Sequence, residues 1–173
     1  MKNNSANRGK RLEQLIDLFG ARYASTGKAY LIKSPPHVKH LRSLKNGQFV
    51  ACYAAKGQPD YLLLADGVSY LFDAKEFKGN RFPFSSLHPH QFNALVRWNE
   101  CGGKSALVFG ASDHQAYFVV PLEAFKDQYL EWVDSKAKLG NAKRGKASLS
   151  FEWMLTNSIP WADDGYLSAL KMI

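Results

Sequence analysis

The stretch from Gln58 to Lys75 constrains this chain more than any other. Two apolar, β-prone runs, Tyr61 to Ala65 and Val68 to Phe72, flank Asp66-Gly67. An Asp-Gly pair is the preferred filling of a two-residue hairpin turn, so the two runs read as antiparallel neighbours. With Asp66 and Gly67 as the turn, Ala65 faces Val68 and, counting outward, Asp60 faces Asp73. Side chains directly across such a pair have Cβ atoms roughly 4.5 to 5.5 Å apart, and like charges there destabilise the sheet. A divalent cation held between the two carboxylates would offset that cost. Side-chain alternation then puts Lys75 on the same face as Asp73, one pleat further on. Two acids and a lysine converge on one spot, and a three-residue turn would break the arrangement by shifting the register.

The elements around this hairpin describe an α/β domain, α+β in the sense of a mixed sheet with helices against it. From Arg8 to Tyr23, Leu12, Leu15, Ile16, Phe19 and Tyr23 fall on one helical stripe, with Glu13 at its edge. A strand at Ala29 to Lys33 is interrupted by Ser34-Pro35-Pro36. The span His37 to Lys56 reads as an extended two-stranded projection with a turn at Asn46-Gly47 and a weak strand at Gln48 to Ala54. A helix over Leu87 to Cys101 is capped by Ser86 or His88, carries Pro89 in its first turn, and ends at Gly102-Gly103. Strands at Ser105 to Phe109 and Ala116 to Val120 follow, then an amphipathic helix marked by Leu122, Phe125, Tyr129 and Trp132. At 173 residues the chain is expected to form one domain, residues 1–173.

Charge narrows the function class. The chain nets +8, from 23 Lys and Arg against 15 Asp and Glu. Between Asp17 and Asp60 there is no acid, yet Arg22, Lys28, Lys33, Lys39, Arg42, Lys45 and Lys56 stand there. A second acid-free stretch, 135–148, carries Lys136, Lys138, Lys143, Arg144 and Lys146 with Gly140 and Gly145, and reads as a mobile basic loop. The rest of the chain is therefore net acidic. One lysine-rich face is ordinarily just solvated, but two such stretches in a small domain point to phosphate contacts. No apolar run approaches the ~18 residues of a membrane span, and the N-terminus lacks the apolar core of a secretion signal. With its two cysteines, Cys52 and Cys101, forming no CxxC, the chain is expected in the cytoplasm.

The residue types suit phosphodiester hydrolysis. A crowded, charged transition state needs neutralisation and an activated water, which Mg²⁺ held by carboxylates supplies. Asp60 and Asp73 are the candidate ligands, and Glu13 could add a carboxylate from a third direction. Lys75 has only donors to offer, so it suits the attacking water or the phosphate rather than the metal. Gln91 shares a stripe with Leu95 and Trp98, and its amide could hold a metal-bound water. The plain alternative is that Asp60 opens a strand and Asp73 with Lys75 is an exposed charge pair. The opposed aspartates and the basic flanks weigh against it.

The order Glu13, Pro59-Asp60, Asp73-Ala74-Lys75 resembles the PD-(D/E)xK nuclease superfamily. More narrowly, the chain resembles RecU-type Holliday junction resolvases, including phage-borne relatives. The likeness rests on Asn7-Arg8-Gly9, Lys33-Ser34-Pro35-Pro36, Phe72-Asp73-Ala74-Lys75-Glu76, Phe82-Pro83 and His88-x-His90-Gln91. It implies a restriction-endonuclease-like core and a homodimeric, Mg²⁺-dependent crossover junction endonuclease of DNA recombination and repair in a bacterial or phage-infected cell, with Mn²⁺ as the alternative metal. It further implies Asp60, Asp73, the Ala74 carbonyl and Glu13 as metal ligands, Lys75 as the catalytic lysine, and Gln91 as the active-site glutamine. Residues 38–56 would form a basic stalk entering the junction centre. DNA contacts are expected from Arg8, Lys10, Arg11, Lys39, Arg42, Lys45, Lys56, Lys78, Arg81, Lys143, Arg144 and Lys146. The chain departs from the family in carrying Asp73 where Glu is usual and Gln58-Pro59 in place of a Ser/Thr-rich approach. Two rival functions remain open: a related nuclease acting on forks or duplex, and a non-catalytic DNA-binding accessory of recombination.

Several other signals point elsewhere than to chemistry. His37 with His40, and His88 with His90, lack a third ligand at zinc spacing. Phe82 and Phe84 could stack on bases, but packing beneath a loop is the simpler role. Phe151, Trp153 and Trp161 are expected to cover the core or a dimer interface.

Overall fold

A computed structural model describes residues 10–35, 38–53, 58–139 and 146–173. Its centre is the predicted hairpin. Strands β4 (Tyr61–Ala65) and β5 (Val68–Phe77) pair antiparallel from Ala65↔Val68 to Tyr61↔Phe72, the register set by the two-residue turn. Asp66 and Gly67 have φ of 51° and 78°. Positive φ at both turn residues matches the right-handed twist of the strands, and it explains why Asp and Gly stand there. The ladder ends at Tyr61, so Asp60 lies one residue beyond it rather than in a paired position.

On one side of this pair, β1 (Tyr30–Lys33) adds antiparallel to β4 and forms the sheet edge. On the other, β7 (Lys104–Ala111) runs parallel to β5, followed by β8 (Ala116–Pro121) and the short β10 (Ile159–Pro160), both antiparallel. The result is a mixed six-stranded sheet in the order β1-β4-β5-β7-β8-β10. The parallel step needs a crossover, which α2 (Pro89–Glu100) supplies.

Both faces of the sheet are covered. Leu12, Ile16 and Tyr23 of α1 (Lys10–Ser25) pack on one, against Tyr61, Leu63, Phe72, Ala106 and Val108, with Tyr166, Leu167 and Leu170 around the C-terminal α5 (Leu167–Lys171). On the other face Leu107, Phe109, Phe118 and Val120 meet Phe92 and Leu95 of α2 and Phe125 and Tyr129 of α3 (Leu122–Leu139). Strand β7 is buried on both faces, as a strand beside a parallel neighbour should be. Each such side chain contributes about 1.5 to 3 kcal/mol. Beneath this second layer, β6 (Arg81–Pro83) pairs with β9 (Ser148–Ser150), which leads into α4 (Phe151–Asn157). Phe82 and Phe84 are fully buried there, so they are core rather than base platforms. Phe151 and Trp153 pack on the same layer and Trp161 on the α1 side.

Strands β2 (Val38–Ser43) and β3 (Phe49–Tyr53) form a separate two-stranded ribbon, with Asn46 and Gly47 at positive φ in its turn. Of the expected basic loop over 135–148, residues 135–139 belong to α3, which takes in Lys136 and Lys138, and residues 140–145 lie outside the described residues. Lys136 lies 5.5 Å from the Trp132 ring, a contact that favours extending the helix. No helix among the described residues is long and apolar enough to cross a membrane.

Candidate active site

Strand β5 supplies two of the site's side chains by simple alternation. Leu71, Asp73, Lys75 and Phe77 share one face, the one covered by α2, while Tyr70, Phe72 and Ala74 turn to the α1 side. Asp73 is fully buried, and Lys75 Nζ lies 2.6 Å from its Oδ2. The Lys75 side chain keeps 16% exposure. This ion pair is the close contact of Oδ2, and the Lys75 charge favours the ionised carboxylate. A carboxylate oxygen carries two lone pairs, so one ammonium does not exhaust Oδ2 as a donor.

Helix α2 closes the site from above. Its N-cap is His88 and Pro89 opens its first turn, as the local sequence demands. Gln91, two residues in, is buried and donates from Nε2 to Asp73 Oδ1 at 2.6 Å. Its Oε1 accepts from the His88 N–H at 3.2 Å and lies 3.4 Å from Lys75 Nζ. One amide therefore joins the helix start, the lysine and the buried acid. Gln91 is engaged with protein groups rather than pointing to free space.

Asp60 enters from the end of β4. Its carbonyl accepts from the Ser34 N–H at 2.8 Å, and its Oδ2 accepts from the Ala74 N–H at 2.9 Å. The expected face-to-face ladder pair is replaced by this side-chain clamp on β5, which still leaves the two carboxylates as neighbours. Burial raises the Asp60 pKa above its ordinary value, only partly opposed by the Ala74 N–H and Lys75. For Asp73 burial is the main cause of a rise to about 7, opposed by Lys75 and reinforced by the Asp60 charge. Desolvated neighbouring acids of this kind demand either a proton or a cation.

Glu13 does not complete a three-carboxylate cluster. Among the described residues no three His, Cys, Asp or Glu side chains form a group that could hold a metal ion. Glu13 is paired instead with Lys33, whose Nζ lies 2.9 Å from Glu13 Oε2 and 3.2 Å from Asp17 Oδ2 and sits over the Tyr61 ring. Partial burial disfavours the Lys33 charge, but Glu13, Tyr61 and Asp17 more than offset this and hold its pKa above the usual lysine value. Both Glu13 and Lys33 act electrostatically on Asp60. Sequence reasoning did not place Lys33 in the site. The carboxylates Glu13 and Asp17, one turn apart on α1, were the signal that a cation belonged beside them.

The other basic residues expected to touch DNA lie on several elements. Lys39, Arg42 and Lys45 are exposed on the ribbon, Lys10 and Arg11 at the start of α1, and Lys78 and Arg81 after β5. Arg81 Nε donates to Ser148 Oγ and Lys146 Nζ to Gln128 Oε1. Arg8, Lys56, Lys143 and Arg144 lie outside the described residues, as do Asn7, Gly9 and His37. The His88 and His90 rings stack at 5.4 Å.

Comparison with known proteins adds the family. A Holliday junction resolvase RecU of Streptococcus pneumoniae is 27% identical over 124 residues, covering 68% of this chain and 63% of that protein. The match thus spans less than two thirds of the streptococcal relative's length. A Holliday junction resolvase RecU of Ureaplasma parvum is 23% identical over 154 residues, covering 87% of this chain and 81% of the relative. Among solved structures, Hjc of Archaeoglobus fulgidus, a Holliday junction resolvase, aligns with a TM-score of 0.49 at 12% identity over 88% of this chain and 95% of its own. The family model for recombination protein U matches residues 7–169, and the chain therefore belongs to the RecU family.

Proposed function

We propose that this protein is a structure-selective DNA endonuclease that resolves four-way junctions by metal-dependent phosphodiester hydrolysis, working as a homodimer. The observation that carries the reading is the buried Asp73, paired with Lys75 through Oδ2 and with Gln91 through Oδ1, beside Asp60. The names of its RecU relatives support the substrate.

Two neighbouring carboxylates, one of them fully desolvated, are a donor set that a hard divalent cation takes. Asp60 and Asp73 would hold Mg²⁺, or Mn²⁺ in its place, with the Ala74 carbonyl and a Glu13 released from Lys33 completing the set. When bound, such an ion supplies charge neutralisation at the phosphate and eases deprotonation of water. The chain's own groups do the rest. The Ala74 N–H fixes Asp60, and the Gln91 amide fixes Asp73, so neither carboxylate must reorganise during the reaction. Lys75, tethered to Asp73 but partly exposed, presents its remaining N–H donors to the phosphate or to the attacking water. Lys39, Arg42 and Lys45, with the other cations named above, grip the backbone.

The test is cutting of a synthetic four-way junction in Mg²⁺ beside linear duplex and fork substrates of the same sequence. Paired nicks in opposed strands of the junction, with little cutting of the others, are expected. Equal cutting of linear duplex removes the resolvase assignment, and binding without metal-dependent cutting removes the enzyme.

A further inference from the structure

Lys33 is placed by the backbone before its charge matters. It closes β1, where it pairs with Tyr61 of β4, and the N–H of the next residue, Ser34, donates to the Asp60 carbonyl. Its ammonium lies 5.2 Å from the centre of the Tyr61 ring. That ring is fully buried and stacks on Phe72, which makes it a fixed support for a long side chain. Glu13 and Asp17 stand one turn apart on α1, and Lys33 Nζ reaches both, at 2.9 and 3.2 Å. One cation therefore bridges two acids beside Asp60.

The bridge is of a kind that opens at small cost. The Lys33, Glu13 and Asp17 side chains are each nearly half exposed, at 44 to 47%. Ion pairs in such contact with water contribute little. Because Nζ holds two carboxylates, it can release one and keep its charge compensated by the other. Glu13 and Lys33 both act on Asp60 through their charges, in opposite senses. The local charge count points the same way. With Glu13, Asp17, Asp60 and Asp73 ionised, Lys33 and Lys75 leave two negative charges over, which is the charge of one divalent cation.

We infer that Lys33 is a latch on Glu13: it holds this carboxylate in the absence of a divalent cation and passes to Asp17 alone when Glu13 turns to a cation at Asp60 and Asp73. The latch rests on the metal-dependent reading above and deepens it. Lys33 is a positioning residue, acting through Glu13 rather than on the substrate. By competing for Glu13 it sets the cation concentration at which the carboxylate set is completed. Asp17 has its own part, because a second holder lowers the cost of letting Glu13 go. A competitor held by half-exposed pairs shifts cation affinity by roughly two- to fivefold.

The experiment titrates the full chain, without DNA, with Mn²⁺ and follows the free ion by electron paramagnetic resonance. Lys33→Met should bind Mn²⁺ about two- to fivefold more tightly than wild type, and Lys33→Gln should reproduce the gain. Lys33→Arg, which keeps the cation, should return affinity to the wild-type value or below. Asp17→Asn should weaken Mn²⁺ binding in wild type but not in Lys33→Met. A nearby cation also repels Mn²⁺ through space, so the deciding arm is the Glu13→Gln background. There the latch has nothing to release, and adding Lys33→Met should bring no gain. A gain of equal size in that background, or no gain in the wild-type background, overturns the latch and leaves the metal centre standing. Failure of wild type and of every variant to bind Mn²⁺ removes the metal centre and the latch with it.

Discussion

Replacing Asp73 by Asn should stabilise the metal-free protein above neutral pH. Asp73 is fully buried, and its pKa is raised from 3.8 to about 7. The folded state therefore holds this proton more tightly than the unfolded chain. Its contribution to stability is fully present below the unfolded value of 3.8 and is lost as pH rises through about 7. At about 1.4 kcal/mol per pH unit, the whole shift corresponds to roughly 4 kcal/mol against folding at pH 8. Asparagine keeps the acceptor for Gln91 Nε2 and removes the repulsion with Asp60, but it strips Lys75 of its partner, so the net gain should be about 1 to 3 kcal/mol. Urea unfolding in EDTA at pH 5 and pH 8 measures this directly. The variant should exceed wild type at pH 8, and the difference should shrink toward pH 5. A variant less stable than wild type at pH 8, or a difference independent of pH, would refute the burial argument.

Three further outcomes follow from the same geometry. Millimolar Mg²⁺ should raise the melting temperature of wild type by mass action but leave Asp60→Asn and Asp73→Asn unmoved. Gln91→Ala removes the bond to Asp73 and the acceptor for the His88 N–H, so it should cost about 1 to 2 kcal/mol in urea unfolding and slow junction cutting. Neutralising Lys39, Arg42 and Lys45 together should lower the slope of log affinity against log salt by about 0.9 for each phosphate that the ribbon no longer neutralises. An unchanged slope in filter binding would take the ribbon off the DNA surface.

Much of the site was legible because it depends on local rules. The Asp66-Gly67 turn specifies the hairpin register, alternation puts Asp73 and Lys75 on one face, and the cap at His88 sets Gln91 in the first turn of α2. What was not legible depends on distant partners. Nothing near Asp60 announces that its carboxylate bonds the Ala74 N–H in place of a ladder pair. The parallel pairing of β5 with β7 is joined by a long crossover, with no turn to fix its register. Lys33 reaches Glu13 and Asp17 only because β1 docks at the sheet edge beside α1. The C-terminal α4 and α5 are too short for an apolar period to stand out, although Met154 and Leu170 are fully buried. The break in the β2–β3 register between His40 and Arg42, where Leu41 is an extra residue, is invisible to a strict alternation.

The central claim is that Asp60, Asp73 and Lys75 form a metal-dependent nuclease centre. Single-turnover cutting of a four-way junction in Mg²⁺, by wild type and by Asp73→Asn and Lys75→Ala at saturating protein, tests it most directly. The account predicts a loss of at least about a hundredfold in rate for each variant, with junction affinity in EDTA held within a few-fold. Either variant cutting at the wild-type rate would contradict it.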